Sequence, residues 1–298
     1  MFLSKIWFFL LAIIAAAAIT VALVMPRPAE RATAKSERKR LQRACSVVNL
    51  VLRDNAGSRV RQASSAARGY GLGEVTAKAG KGNIVSGEDN ANGRARLVEL
   101  GKEFESSDIP KPAFMFLVDG KGRVIARSGL EDSSYGDVLA GYYALDDALA
   151  GYMRDDVWLY ENKLYRVAVT PVFTNSLARS GALVIGYGFD KPFAESIGKD
   201  LEVQMSFYAR GEAMASNHAI QVHEDVVKKY GAELQGKKLE KSDCVAVEPF
   251  AVSAGGTTYN SLIARLPGEA RQAGAFYAVF VEQPSSVGFS GTLDEVKK

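Results

Sequence analysis

The chain has 298 residues, enough for two domains of modest size. It is 47% hydrophobic and 24% charged, a globular balance, and its net charge of +3 is too mild for a nucleic-acid surface. The two cysteines, Cys45 and Cys244, lack metal-ligand spacing. They form either one disulfide outside the cytoplasm or two separate buried thiols.

In chain order, the first element is "IWFFLLAIIAAAAITVALVM", residues 6–25, which carries no charge and matches the length of a bilayer-spanning helix. A cleaved signal peptide is the rival reading, but its apolar core normally runs about 7–15 residues. The expectation is an uncleaved anchor over 1–25. The basic run "RATAKSERKRLQR" behind it argues for a cytoplasmic bulk by the positive-inside rule.

Residues 31–70 contain no proline, and Leu41, Cys45, Val48, Leu52, Ala56, Val60, Ala63 and Ala67 recur at spacings of three and four. That is one apolar stripe on a long helix. It packs on the chain's own modules, or, with Cys45 at its centre, it meets the same stripe of a second chain. Residues 69–93 are rich in Gly and polar residues and read as a loop. The fragment "AGKGN" within it lacks the spacing of a phosphate-binding loop. A short helix over 95–104 closes this region, 26–110.

The remainder reads as a repeat. "FLVDGKGRVIARSG" is strand, turn, strand, with Asp119-Gly120 as the turn dipeptide. A helix over "YGDVLAGYYALDDALAGY" follows, then the strands "KLYRVAVTPVF" and "GALVIGYGF". "MSFYARGEAMASN" repeats the hairpin; a helix over "AIQVHEDVVKKYGAEL", a strand around "CVAVEPFAV", and the strands "TTYNSLIARL" and "GAFYAVFVE" repeat the rest. The pairs Tyr165/Tyr259, Ala182/Ala275 and Pro192/Pro284 keep offsets of 94, 93 and 92 residues. The expectation is an α+β chain with two tandem modules, 111–200 and 201–284, each an antiparallel sheet with helices, and a C-terminal segment 285–298.

Little points to catalysis. His218 and His223 are five apart, too far round a helix to share a metal. The neighbouring carboxylates Asp146-Asp147 and Asp155-Asp156 point apart and read as surface or cap residues. Binding is better supported. Trp158, Tyr160, Tyr165, Tyr187, Asp190 and Arg127 lie around the first sheet, where aromatic walls with a few polar groups suit a small ligand. The alternative for each is ordinary strand packing or, for Arg127, a surface residue.

A membrane helix, a long helix leading away from it and two tandem modules carrying "FLVDGKGRVIARSG", "LYRVAVTPVF" and "SGALVIGYGFD" resemble the double Cache family. These are PAS-like extracytoplasmic sensor domains of bacterial membrane receptors, and the resemblance covers about residues 26–282. It implies a non-enzymatic receptor for signal transduction in the inner membrane, with the bulk of the chain periplasmic. It also implies a small-molecule ligand in the membrane-distal first module, a homodimer, and no cofactor. Two features depart from the family. No second apolar run follows the proximal module, which implies output through a partner or through chain beyond residue 298. "RDDVWLY" has the residue types of the amino-acid-binding cluster in a different spacing, although Asp190 stands where the amine-binding Asp would. An amino-acid ligand is therefore not carried over. A structural or assembly role without a ligand is the alternative function.

Overall fold

The structure is a computed structural model that describes residues 7, 11–16, 26–105, 110–131, 133–139, 141–220, 222–235 and 248–283, with the backbone alone for 26–34. Residues 7 and 11–16 are helical. The rest of the apolar run 6–25, residues 244–247 at the start of the "CVAVEPFAV" segment and residues 284–298 lie outside the described residues. Among the described residues no helix is long and apolar enough to cross a membrane.

One helix, α1 (Pro26–Ala67), organises the molecule. Pro26 and Pro28 stand in its first turn, where a missing N–H leaves no bond unmade. Tyr70 and Gly71, left-handed at φ 58° and 65°, mark where the chain turns out of it. Its 42 residues span about 63 Å. Leu41, Cys45, Val48 and Leu52 pack into the core of the second sheet, and Ala63, Ala66 and Ala67 into that of the first.

The Gly-rich stretch is helical rather than a loop. α2 (Leu72–Lys81) and α3 (Gly87–Glu105) fill it. Ser86 and Asp89 cap α3 reciprocally: the Asp89 carboxylate accepts from Ser86 N at 3.0 Å, and Ser86 Oγ accepts from Asp89 N at 3.1 Å. Gly73 lies against the Phe173 carbonyl and Gly93 against Ile125 and Ala126, so these glycines serve close packing of helix on strand.

The first module contains β1 (Phe114–Asp119), β2 (Val124–Ser128), α4 (Tyr143–Ala150), β3 (Arg154–Tyr160), β4 (Lys163–Phe173) and β5 (Arg179–Gly188). α5 (Lys191–Leu201) leads to the second: β6 (Gln204–Ala209), β7 (Glu212–Ser216), α6 (His223–Gln235), β8 (Phe250–Ala254), β9 (Thr257–Arg265) and β10 (Phe276–Glu282). The sheet orders are β2-β1-β5-β4-β3 and β7-β6-β10-β9-β8, with antiparallel pairing throughout. The repeat read from the sequence is thus two copies of one topology.

Details differ from expectation. The helix expected over 135–152 shrinks to α4, because Gly136 and Gly141 are left-handed and the backbone of 136–139 instead pairs with β2 and its turn. "RDDVWLY" is a full edge strand, β3. In the first hairpin the positive φ falls on Gly122 rather than Gly120. The Asp119 carboxylate closes that turn by accepting from the backbone N–H of Lys121 and Arg123. The second hairpin turns at Arg210-Gly211, both left-handed.

Each sheet is covered on both faces. In the first, Tyr165, Val167 and Val169 point to α4, while Arg166, Ala168 and Tyr187 stand on the α1 side. In the second, Phe207, Leu262, Tyr277 and Val279 face α1, and Tyr208, Ile263 and Phe276 pack with Val226 and Tyr230 of α6.

The stripe on α1 is therefore closed by the chain's own proximal module, which corrects the reading of Leu41-Cys45-Val48-Leu52 as a seam between two chains. Leu41, Cys45 and Val48 are wholly covered within one chain. The Tyr277 hydroxyl sits 3.1 Å from Cys45 Sγ and donates to Asn49 Oδ1 at 3.0 Å. Cys45 is held in a disulfide, not a free thiol.

Candidate functional site

The six residues expected to form a site divide between two faces of the first sheet. Arg127, Trp158, Tyr160 and Tyr165 gather on the α4 side; Tyr187 and Asp190 belong to the α1 side. The strand period accounts for this: Tyr165 and Tyr187 sit on adjacent strands but at positions of opposite parity relative to the β4–β5 register, in which Arg166 pairs with Tyr187.

On the α4 side the aromatic rings fill the space themselves. Phe114 and Phe116 stack at 4.5 Å between centroids, Tyr165 meets Phe114 edge-on at 4.9 Å, and Tyr160 meets Phe116 at 5.4 Å. Tyr142 lies 4.1 Å from the Trp158 ring. Trp158 is wholly buried, and its indole N–H donates to Asp156 Oδ2 at 3.1 Å. The segment after β2 crosses this face, and Arg127 fastens it. The guanidinium lies over Phe116 and pairs with Asp137 through both terminal nitrogens, at 2.9 and 2.6 Å, while also donating to Ser134. Arg127 is therefore a buried anchor rather than a surface residue, and the anion it holds belongs to the chain.

On the α1 side Asp190 is the N-cap of α5: its carboxylate accepts from Phe193 N at 3.0 Å. It borders a cleft of about 420 Å³ together with Tyr187, Arg166 and Phe193. A second cleft, about 260 Å³, lies where α1 and the two modules meet, and Arg166 lines this one too. Burial lowers the Arg166 guanidinium to about 10, and Arg59 adds to the shift. Arg166 donates to Gly188 O at 2.9 Å and lies 3.6 Å over the Phe193 ring. Burial raises the Tyr187 phenol to about 12, against the pull of Arg59 and Arg166.

Asp155 and Asp156 point apart as expected, but neither is a surface or cap residue. Asp155 accepts from Arg59 of α1 at 2.9 Å and also pairs with it at 2.7 Å, and burial raises its carboxyl to about 6. Asp156 accepts from Glu269 N of the second module at 2.9 Å, so it links the modules. Arg59 and Arg265 were not singled out from the sequence. Arg59 precedes Val60 and Arg61 follows it, so neither cation stood out in the sequence, and Arg265 carried no signal either. The histidines bond separately, His218 to Ser206 Oγ at 2.9 Å and His223 to the Tyr208 hydroxyl at 3.0 Å.

No family model and no curated protein matches the sequence. Solved structures do. The sensor domain of the Vibrio cholerae histidine kinase DctB is similar over 86% of this chain and 99% of its own, at 11% identity and a TM-score of 0.46. The ligand-binding domain of the Campylobacter jejuni chemoreceptor Tlp3, in complex with L-norvaline, covers 85% of this chain and 91% of its own, at 12% identity and 0.44. A domain of a Vibrio parahaemolyticus sensory box/GGDEF family protein covers 86% and 97%, at 10% identity and 0.47.

Proposed function

We propose that the chain is a membrane-anchored, extracytoplasmic and non-enzymatic sensor module, which binds a small ligand in its first module and passes the signal to its second through a homodimer. The observation that carries this reading is α1, a single helix that closes the back of both sheets. A change in how the first sheet sits on α1 is felt by the second through the same rigid element. The ligand face is the aromatic wall of Trp158, Tyr160 and Tyr165 beneath the segment that Arg127 and Asp137 fasten. A ligand carboxylate reaching Arg127 would replace Asp137 and release that segment.

The test is a thermal-shift screen of the full chain against small metabolites. A ligand that binds the folded state alone raises Tm. That shift should vanish in a Tyr160→Ala variant that still melts cooperatively. A periplasmic reporter fused at the C-terminus should be active; activity of a cytoplasmic reporter there would overturn the placement outside.

The closure of the aromatic face by its own rings favours a second reading, in which the modules serve only protein contacts. A screen with no hit, together with a stable complex containing a partner protein, would decide for it.

A further inference from the structure

The cleft of about 260 Å³ where α1 meets both modules has an excess of cations whose hydrogen-bonding capacity is unspent. Arg59 of α1 is only 6% exposed. Its Nε and Nη2 engage Asp155, but its Nη1 is buried without a partner. Arg166 of β4 spends one terminal nitrogen on Gly188 O and leaves Nε buried and unpartnered. Arg265, the last residue of β9 in the second module, likewise has a buried, unpartnered Nε. All three line the same cleft, and exposed Arg53 stands at its wall.

The carboxylates present do not balance this set. Asp155 is engaged by Arg59, and Asp156 is occupied by Val157 N, Glu269 N and the Trp158 indole. Four guanidiniums thus face two carboxylates that are already bonded. Charged donors held out of water without an acceptor are costly, and an anion in the cleft would add negative charge beside all three guanidiniums. The remaining wall is mostly apolar, Leu52, Ala56, Val157, Pro267 and Gly268, with the Asn49 amide beside them.

We propose that this cleft binds a small organic carboxylate, its head among Arg59, Arg166 and Arg265 and its short aliphatic body against Leu52, Ala56 and Pro267. The ligand would bridge α1, the first module through Arg166, and the second through Arg265. It would therefore act as a tie between the modules, at a place separate from the aromatic face of the first.

Butyrate, butyramide and inorganic phosphate, titrated into the full chain by calorimetry with thermal shift in parallel, test this. Butyrate should bind and raise Tm. Butyramide, of the same shape without the charge, should do neither. Arg265→Gln should weaken butyrate at least tenfold; if that variant does not melt cooperatively, Arg53→Gln should weaken it in the same direction. Tyr160→Ala, on the other face of the sheet, should leave it unchanged, which separates this site from the ligand face proposed above. No butyrate binding, equal binding of the amide, or wild-type affinity in the arginine variants would overturn the proposal. So would phosphate binding as tightly as butyrate, which would mark an adventitious ion only.

Discussion

At the scale of single residues, Trp158 concentrates the first module's packing. It is wholly buried, packed against the tilted Tyr142 ring and bonded to Asp156. Trp158→Ala should lower unfolding stability by about 3–5 kcal/mol in urea titrations, because truncation leaves both a cavity and an unpartnered carboxylate oxygen. His218 supplies a pH test. Burial lowers its imidazole to about 4, and His223 adds to the shift. The folded residue thus stays neutral where an unfolded one, titrating near 6.5, takes a proton. The unfolded chain binds the extra proton between these values, so His218 costs stability as pH falls from about 7 to about 4. Asp155 acts oppositely. Its raised carboxyl takes a proton in the folded state first, and stability is gained as pH falls through about 6 toward 3.8. The difference between wild type and His218→Gln isolates the imidazole. The variant should lose less stability between pH 7 and pH 4.5, and an equal loss in urea melts at both values would refute the assignment.

At the scale of elements, α5 begins at a cap, with Asp190 receiving Phe193 N and a proline in the first turn. Asp190→Ala should cost about 1 kcal/mol, read from the shift of a thermal or urea midpoint. Gly186 of β5 faces the Phe114 ring so closely that a Cβ there would overlap it. Gly186→Ala should destabilise by at least about 1–3 kcal/mol, as overpacking does, whereas Gly80→Ala on α2, with open space around it, should be neutral or stabilising. Other glycines bear on what was legible in the sequence. Near-continuous apolar strands such as "KLYRVAVTPVF", buried on both faces, and the stripe of α1 read correctly because burial wrote them. α2 and the first turns of α3 did not, because Gly73 and Gly93 look like loop punctuation until the strands they touch are known; the helix expected over 95–104 is the remainder of α3. The Ser86–Asp89 capping pair was a local signal for α3 that composition obscured. The aromatic residues of the first module were named, but which face each occupies depends on register. Arg59, Asp155 and Arg265 come from three distant segments, so no spacing could announce their meeting.

At the scale of the whole molecule, the two modules share α1, and the first module's lower end (Val157, Leu164 and Phe189) enters the core that surrounds Leu41 and Tyr277. Unfolding should therefore be one cooperative transition reported alike by tryptophan fluorescence and far-ultraviolet dichroism; two separated transitions would show independent modules. The disulfide at Cys45 braces this joint core. Cys45→Ser should lower stability by about 2–5 kcal/mol. The wild-type chain should run as a monomer on non-reducing denaturing gels; a covalent dimer would reinstate the interchain seam.

The sheets are duplicated but α1 is not. Cys45 and Ala63 press on different sheets from one rod, about 27 Å apart along its axis. Turning that rod by a single residue's step, about 100°, would carry both contact stripes off both sheets together. The helix is in effect a camshaft with two lobes cut on one shaft. The timing between the modules is set by the spacing of its apolar residues, so inserting one residue between Leu52 and Val60 would retime one module against the other while leaving every sheet residue in place.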